Sequence, residues 1–447
     1  MCGWDRPCSA QEADIKRLVA LLGALLAPGA ALAQMDHSQM GDGTMNHGAM
    51  NHGATDHGSG DMAWMSMNGM GSGTSRLPMN EPMRGLHLMP GPRDMVMVQA
   101  NVWPVYTDQG GPRGGTKFYA QTMAMAMWIH DLSNVLGDGA KLTGQAMMSL
   151  EPAMCHDGYP LLFATGEEAY GSPLVDRQHP HDLFMELSAR IDVPVAPGLK
   201  AFVYGGPVGE PALGPSAFMH RYSAQYNPEA PITHHWFDST HIVYGVVTAG
   251  LYGSKWQIEA SAFRGREPDE NRWAIERAKL DSWSVRATLS PSPQWVMQAS
   301  FGKLKEPETA HPGEDERRFI TSAHFNNGRG FSAMAGFSAK TRVGGETRSA
   351  LLGEFNWDAS KHDTLFGRIE NVNNDELFPD HDDPLHDQPF RVTKFELGYA
   401  YRFRVVSKVQ VAVGASGALF AKPAALSAAY GKNPVGATVF ARITLMD

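Results

Sequence analysis

Methionine and histidine recur in register through residues 34–62, and they are the first groups in the chain that could do chemistry. Thioether sulfur is a soft ligand that suits Cu(I), whereas imidazole and carboxylate suit Cu(II). The stretch contains no Ile, Leu, Val, Phe, Tyr or Trp, so it cannot bury enough apolar surface to offset the entropy of ordering. It is therefore predicted to be a disordered string of copper ligands. These predicted metal ligands are Met35, His37, Met40, Met45, His47, Met50, His52, His57 and Met62.

A solvated linker of incidental composition is the alternative interpretation of this stretch. Random composition would place about one Met in a segment of this length, whereas here Met and His repeat together. On the metal-binding interpretation, Met residues hold Cu(I), or silver by the same soft chemistry, and His residues hold Cu(II). Each ligand is weak alone, and linkage on one chain raises the effective concentration of the others.

Residues 1–33 have the pattern of a secretory signal peptide. A basic pair precedes a short apolar run, and an Ala-Leu-Ala cleavage site stands directly before Gln34. A membrane anchor is the alternative, but the run is too short and Pro28 interrupts it. Once this peptide is removed, Cys155 is the remaining cysteine, so neither a disulfide framework nor a cysteine metal site is expected.

The net charge of −9 favours cations near the surface and argues against nucleic acid as a partner. Downstream of residue 93 the sequence changes to a period of two, in which apolar and polar residues alternate as in a half-buried strand. About sixteen strands are predicted, within a range of about 14–18. They are expected near residues 94–103, 117–130, 139–151, 181–193, 199–205, 239–252, 254–264, 281–290, 294–302, 317–326, 330–341, 346–357, 362–372, 391–404, 407–418 and 435–446.

Short and long connections alternate between these strands, which is the pattern of an all-β, transmembrane antiparallel β-barrel of the outer membrane. A large β-sandwich or a lipocalin-like protein is the soluble alternative, but it would leave too many apolar faces uncovered. The predicted organisation is a tail over residues 34–92, mostly disordered and periplasmic, followed by a lipid-embedded barrel over residues 93–447. Aromatic girdles at the membrane interfaces are predicted from Tyr252, Trp256, Trp283, Tyr399, Tyr401 and Phe403.

The polar face of the predicted strands carries charges of both signs. A cation channel would be expected to show a ring of one sign, whereas mixed signs favour ion pairs that fill a narrow or plugged interior. The predicted inward charges are Asp182, Glu186, Arg190, Lys255, Glu259, Arg286, Arg348, Glu354, Arg368, Glu370, Lys394, Glu396, Arg402 and Arg442.

Three long loops hold most of the remaining histidines, and they are expected to face outside or to fold into the barrel mouth. Spacings of one to four residues allow neighbouring His and Asp side chains to share a metal ion, although ordinary loop hydrogen bonds explain any single histidine. The first two loops contribute His156, His179, His181, His220, His234, His235, Asp238 and His241. The third loop, residues 380–387, is rich in carboxylates and is a predicted Ca²⁺ site or a Ca²⁺ bridge to lipopolysaccharide.

Sequence patterns of catalysis are absent: the chain has no G-x-S-x-G, H-E-x-x-H or Walker motif, so it is predicted not to be an enzyme. The repeats of a multicopper oxidase and the heptads of a tunnel-type efflux channel are also missing.

The tail segments Met-Asp-His-Ser-Gln-Met (35–40) and Met-Asn-His-Gly-Ala-Met (45–50), with a predicted signal peptide and barrel, resemble the outer-membrane copper-resistance protein B family. The similarity covers residues 34–62 residue by residue and the rest by architecture. The resemblance implies copper binding and copper tolerance, with metal captured in the periplasm and periplasmic copper-handling or efflux proteins as partners. Two alternatives stay open. One is a porin-like channel for a small solute, and the other is a structural barrel that anchors a periplasmic efflux component.

Overall fold

The computed structural model describes residues 69–82, 84–153 and 156–446. In this part of the chain strands dominate, and helices are limited to single turns. The strands are β1 (Leu86–Gly91), β2 (Asp94–Gln109), β3 (Gly115–Asp131), β4 (Lys141–Met148), β5 (Tyr159–Ala169), β6 (Ser172–Gln178), β7 (Phe184–Ala196), β8 (Leu199–Gly209), β9 (Val243–Tyr252), β10 (Trp256–Phe263), β11 (Ser282–Ser292), β12 (Trp295–Leu304), β13 (Glu316–Asn326), β14 (Phe331–Arg342), β15 (Thr347–Asp358), β16 (Asp363–Asn374), β17 (Phe390–Val406), β18 (Val409–Ala421) and β19 (Val435–Leu445). The α-helical turns are α1 (Ser133–Leu136), α2 (His234–Phe237) and α3 (Ser427–Tyr430), and the 3-10 turns are Glu151–Ala153, Phe218–His220, Tyr222–Ala224 and Ala424–Leu426.

Sixteen strands, β2–β4 and β7–β19, form a closed antiparallel barrel in which successive strands are neighbours. The barrel closes where β19 pairs with β2, from Gly436 opposite Gln109 to Thr444 opposite Asn101. Strands β5 and β6 form a separate two-stranded sheet inside the connection from β4 to β7. All sixteen strands predicted from the sequence are confirmed as barrel strands. No helix in the described ranges is long and apolar enough to cross a membrane.

The barrel wall is apolar outside and polar inside, the reverse of a soluble protein. Along β11, Ser284 and Arg286 are buried, whereas Trp283 and Val285 are 46% and 43% exposed. The other strands follow the same alternation, and it places the apolar side chains where lipid would cover them. Five of the six predicted girdle residues are exposed on the outer wall. The prediction is wrong for Tyr252, because its hydroxyl turns inward and donates to the buried Asp192 at 2.8 Å.

Described residues that precede the predicted boundary at residue 93 also contact the barrel. In the segment 69–82, Ser72 N donates to Ser216 Oγ at 3.0 Å, and the Thr74 carbonyl oxygen accepts from Gln257 at 2.8 Å. Strand β1 then pairs with the first part of β2. The described residues of the predicted tail, 69–82 and 84–92, therefore contact the barrel wall and the 210–242 loop. The signal peptide and the nine predicted tail ligands lie outside the described residues.

The short turns, the start of β2 and the end of β19 lie at one end of the barrel, and the long loops lie at the other, as predicted. The longest connections are residues 149–183 and 210–242, and both fold back into the barrel rather than outward. Nearly all residues of the 210–242 loop are buried. Its backbone and side chains bond to wall strands around the circumference, for example to Ser261, Ser338 and Glu370. The interior is therefore filled, as predicted.

Ion pairs join this loop to the wall. Glu354 of β15 accepts from Arg221 Nε at 2.7 Å and from Arg368 Nε at 3.2 Å, and all three side chains are at most 1% exposed. The predicted mixture of inward charges is confirmed except at Lys255, which is exposed in the turn between β9 and β10. The strand pattern was extended one residue too far there.

We expect Glu354→Gln to loosen the loop, because the change leaves Arg221 and Arg368 buried with too little negative charge. Losing one partner of a buried pair costs about 3–5 kcal/mol. Single-channel conductance in planar bilayers should rise, and the urea midpoint of unfolding in detergent should fall.

Glu346→Gln is the matched control, since Glu346 is 82% exposed beside Arg348 and such pairs contribute at most about 1 kcal/mol. Equal behaviour of the two variants would mean that the Glu354 pairs do not hold the loop.

Candidate metal centre

Five histidines from the two inward loops meet inside the barrel: His179, His181, His234, His235 and His241. We call them the histidine centre. All are at most 7% exposed. The sequence analysis identified each of them as a loop histidine that could share a metal, and the structure brings all five together.

The first pair is placed by the end of the β5–β6 hairpin. His179 follows β6 directly, and Pro180 separates it from His181, which leads into β7. Glu151 fixes His181 from the opposite side of the same loop, with Oε1 3.1 Å from His181 Nδ1. The hairpin and the start of the loop therefore hold the two rings between them.

The second group is placed by α2, which the barrel wall holds from two sides. Glu370 accepts from Thr233 N at 2.9 Å and from Thr233 Oγ1 at 2.8 Å, directly before the helical turn. Ser338 Oγ donates to the Trp236 carbonyl oxygen at 2.7 Å. Gly166 on β5 lies against the His235 ring at a φ of 115°, where a Cβ would stand only 2.4 Å from ring atoms. Only glycine permits this approach.

The imidazole rings form a compact group. The His234 centroid lies 4.7 Å from that of His241 and 5.1 Å from that of His235. The His179 centroid is 5.5 Å from His234 and 5.4 Å from His235. One ligand nitrogen from each of His179, His234 and His235 falls within 4.8 Å of the other two. This separation fits side chains that bind one ion.

The rings share a hydrogen-bonding arrangement in which Nδ1 faces oxygen. His235 Nδ1 lies 2.7 Å from Glu267 Oε1, and His241 Nδ1 lies 2.8 Å from the Asp238 carbonyl oxygen. His179 Nδ1 lies 3.2 Å from the Pro180 carbonyl oxygen, and Glu167 Oε2 is 3.1 Å away. A proton on Nδ1 bonded to oxygen leaves the Nε2 lone pair available, as in histidines that bind metals.

Six buried nitrogens of the centre have no hydrogen-bond partner among the described residues. They are Nε2 of His179, His181, His235 and His241, and both ring nitrogens of His234. An unpaired buried polar group costs about 1–3 kcal/mol, so native structures rarely contain several together. A neutral imidazole has one lone pair, so the five rings offer five lone pairs, and a bound cation would satisfy those of the rings that it contacts.

The electrostatics keep most of the centre uncharged. Burial lowers the pKa of His179 and His241 well below the usual range, and it lowers the pKa of His234 to about 4. His181 differs, because burial opposes its charge but Glu151 outweighs that effect and raises its pKa. A neutral imidazole is the form that coordinates a metal.

Carboxylates border the centre on one side. Glu267 and Glu308 each bring an oxygen within 4.8 Å of a His235 nitrogen. Glu308 is itself paired with Lys340 Nζ at 2.6 Å and Arg318 Nη2 at 2.7 Å. Sequence reasoning missed Glu167, Glu267 and Glu308 as partners, because no spacing in the chain links them to the histidines.

Other predicted loop residues lie elsewhere. His156 is exposed, with its ring centroid 6.2 Å from that of Tyr170, and it does not join the centre. His220 lies in a separate cavity described below. In the 380–387 loop, Asp380 and Asp383 accept hydrogen bonds from the loop's own backbone. The Ca²⁺ site there stays a prediction.

No known protein-family profile matches the chain, and no curated protein matches it. Among solved structures it is similar to OmpF of Salmonella typhi in complex with daunomycin, with a TM-score of 0.51 and 10% identity over 80% of this chain and 100% of that one. It is also similar to an anion-selective porin from Comamonas acidovorans (TM-score 0.48, 9% identity, 79% of this chain and 100% of that one). A third similar structure is the outer-membrane channel DcaP of Acinetobacter baumannii (0.45, 11%, 81% and 100%).

At these identities the likeness to OmpF shows the fold alone. Together with the apolar outer face, it makes this chain a β-barrel protein of the bacterial outer membrane, in contact with outer-membrane lipid.

We expect His234→Leu to stabilise the protein in the presence of a chelator by about 1 kcal/mol, because it removes a buried Nε2 without a hydrogen-bond partner among the described residues and an Nδ1 that lies 3.6 Å from Asp238 Oδ2, beyond hydrogen-bond distance. His235→Leu should instead destabilise it by about 1–3 kcal/mol, because Glu267 loses its partner. Urea unfolding in detergent micelles measures both. Equal destabilisation by the two substitutions would contradict the assignment of unpaired nitrogens to His234.

Proposed function

We propose that this outer-membrane barrel is a closed channel for a transition-metal cation, with copper as the metal, and that the histidine centre is the binding site inside it. The observation that carries the proposal is the set of five buried Nε2 atoms, one on each histidine of the centre, that have no hydrogen-bond partner among the described residues. Imidazole binds Cu(II), Zn(II) and Ni(II), and Cu(II) is bound most tightly of the three at such sites.

The choice of copper also rests on the predicted tail. Residues 34–62 combine thioether with imidazole, and this combination suits both oxidation states of copper. In the proposed function the tail collects copper, or silver, in the periplasm and lowers the free metal concentration there. The resemblance to the copper-resistance protein B family agrees with this role, which would make the chain a resistance protein that works with periplasmic copper-handling or efflux proteins.

A porin-like channel for a small solute is the second candidate, and the sixteen-strand barrel, similar in fold to OmpF, favours it. The filled interior disfavours free diffusion of anything larger than an ion. A conductance in planar bilayers that changes neither on addition of copper nor on deletion of the tail would support the porin-like channel. Retention of an efflux component after copper chelation would support a barrel that only anchors a partner.

The proposal predicts Cu(II) binding that does not need the tail. We define the tail-substituted chain as the full chain with its nine predicted tail ligands replaced, Met by Leu and His by Asn. In detergent it should still bind Cu(II), and adding His179→Ala and His234→Ala should weaken binding by at least about tenfold. Isothermal titration and the Cu(II) electron paramagnetic resonance spectrum measure this loss.

His156→Ala with His381→Ala is the matched control, because both histidines are exposed outside the centre. The metal centre would be refuted if the tail-substituted chain bound no Cu(II). It would also be refuted if the control substitutions weakened Cu(II) binding as much as His179→Ala with His234→Ala.

The different metal preferences of the tail ligands, Met for Cu(I) and His for Cu(II), give a separate prediction. Replacing Met35, Met40, Met45 and Met50 with Leu should weaken Cu(I) binding much more than Cu(II) binding, because Leu keeps the bulk and removes the sulfur. Competition against Cu(I)- and Cu(II)-selective chelators measures both affinities. An equal loss of both would show that Met and His are not specialised.

A further inference from the structure

Methionines line the inside of the barrel on three neighbouring strands. Met95 and Met97 lie on β2, Met123, Met125 and Met127 on β3, and Met147 on β4, and each is at most 9% exposed. The sequence analysis considered only the tail methionines as metal ligands. The alternation Met-Ala-Met-Ala-Met from residue 123 to 127 is the sequence pattern that indicates a row of methionines on one face of a strand.

Strand register brings the sulfur atoms into one place. Met97 is directly opposite Met127, and Met125 is directly opposite Met147. Opposed residues on one sheet face have Cβ atoms about 4.5–5.5 Å apart, so flexible thioethers can reach each other. Met70 of the N-terminal segment and Met219 of the 210–242 loop pack against the same cluster.

This cluster surrounds a cavity of about 110 Å³, which we call the methionine chamber. Its lining includes Met70, Met97, Met123, Met125, Met127 and Met219. His220 also lines it, and the buried Nε2 of His220 has no partner among the described residues. The charged side chains that line it, Glu81 and Arg84, are of opposite sign.

Methionine often only fills gaps in a core, because its side chain is flexible. Two observations argue against that role here. The methionines border a cavity instead of filling the space. Inward positions on other strands are a mixture of charged residues, such as Arg286 and Lys394, and branched apolar residues, such as Ile320 and Leu352, whereas thioethers are concentrated on β2, β3 and β4.

The chamber lies near the start of β2 and the end of β3, at the end of the barrel that carries the short turns, which is periplasmic in outer-membrane barrels. A second cavity of about 50 Å³ shares Met123 and Met219 with the chamber and reaches His181.

We propose that the methionine chamber is a second metal site, selective for a soft monovalent cation, Cu(I) or Ag(I), on the route to the histidine centre. Thioether sulfur prefers such cations over Cu(II) and Zn(II), whereas the imidazoles of the centre accept the divalent ions. The ligand chemistry stands on the chamber alone, and only its place on a route rests on the proposed function.

The test uses Ag(I), which is redox-stable, and the tail-substituted chain. Isothermal titration should show Ag(I) binding, and Met97→Leu, Met125→Leu and Met127→Leu together should weaken it by at least about tenfold. Leu conserves the volume of Met, so the fold should persist, and the single variants Met125→Leu and Met127→Leu give the same direction with less perturbation. Met148→Leu with Met297→Leu is the matched control, because these methionines are 38% and 40% exposed on the outer wall.

X-ray absorption of the Cu(I)-loaded chain adds a readout that packing alone would not change. It should show sulfur neighbours that the triple Leu variant loses. Unchanged Ag(I) affinity in the triple variant would show that the methionine chamber does not bind the metal. Loss of Ag(I) binding only in the His179→Ala and His234→Ala variant would show the same, because it would place Ag(I) in the histidine centre. Loss of Cu(II) binding to the chain with retained Ag(I) binding would instead overturn the proposed function and leave the chamber standing.

Discussion

Pairing of charge inside a wall that faces lipid is the constraint on which this structure depends. Polar side chains cannot point outward into hydrocarbon, so they point inward, where the loops have displaced most of the water. Arg221 illustrates the result: it is fully buried, and it bonds to Glu354 on the wall, to Asp238 and to the Ser216 carbonyl oxygen. Each such pair ties a loop to a strand, and the loop keeps that strand's inward charge neutralised. The interior is thus a packed polar core.

Against this background, groups that find no partner stand out. Most buried charges here are matched, as at Glu259 with Arg286 or Lys394 with Glu229 and Glu396. The histidine centre departs from the rule, because its Nε2 atoms converge without a hydrogen-bond partner among the described residues. The methionine chamber is a second departure, because thioethers are concentrated on three neighbouring strands around a cavity. The loop 210–242 contributes to both, with His234, His235 and His241 in the centre and Met219 in the chamber.

Local pattern explains how much of the barrel could be predicted. A residue's side of a strand follows from its parity, so Phe395 and Leu397 could be placed outside and Lys394 and Glu396 inside from the sequence alone. The errors fall where a strand ends. Lys255 continues the alternation of β10 but belongs to the turn before it, and Tyr252 at the end of β9 bonds inward to Asp192. Periodicity contains no information on where pairing stops or which way a terminal side chain turns.

The sequence by itself determined the number and faces of the strands, the mixed charge of the interior and the ligand types available, because these depend on residue identity and on neighbours two positions apart. Only the tertiary structure decided which ligands meet. His179 and His234 are distant in the chain, and they come together because two loops fold inward, one fixed within itself by Glu151 and the other bonded to Glu370 of the wall. Strand register sets Met97 beside Met127 and Met125 beside Met147. Loop direction and register depend on contacts between residues remote in sequence, which no local pattern encodes.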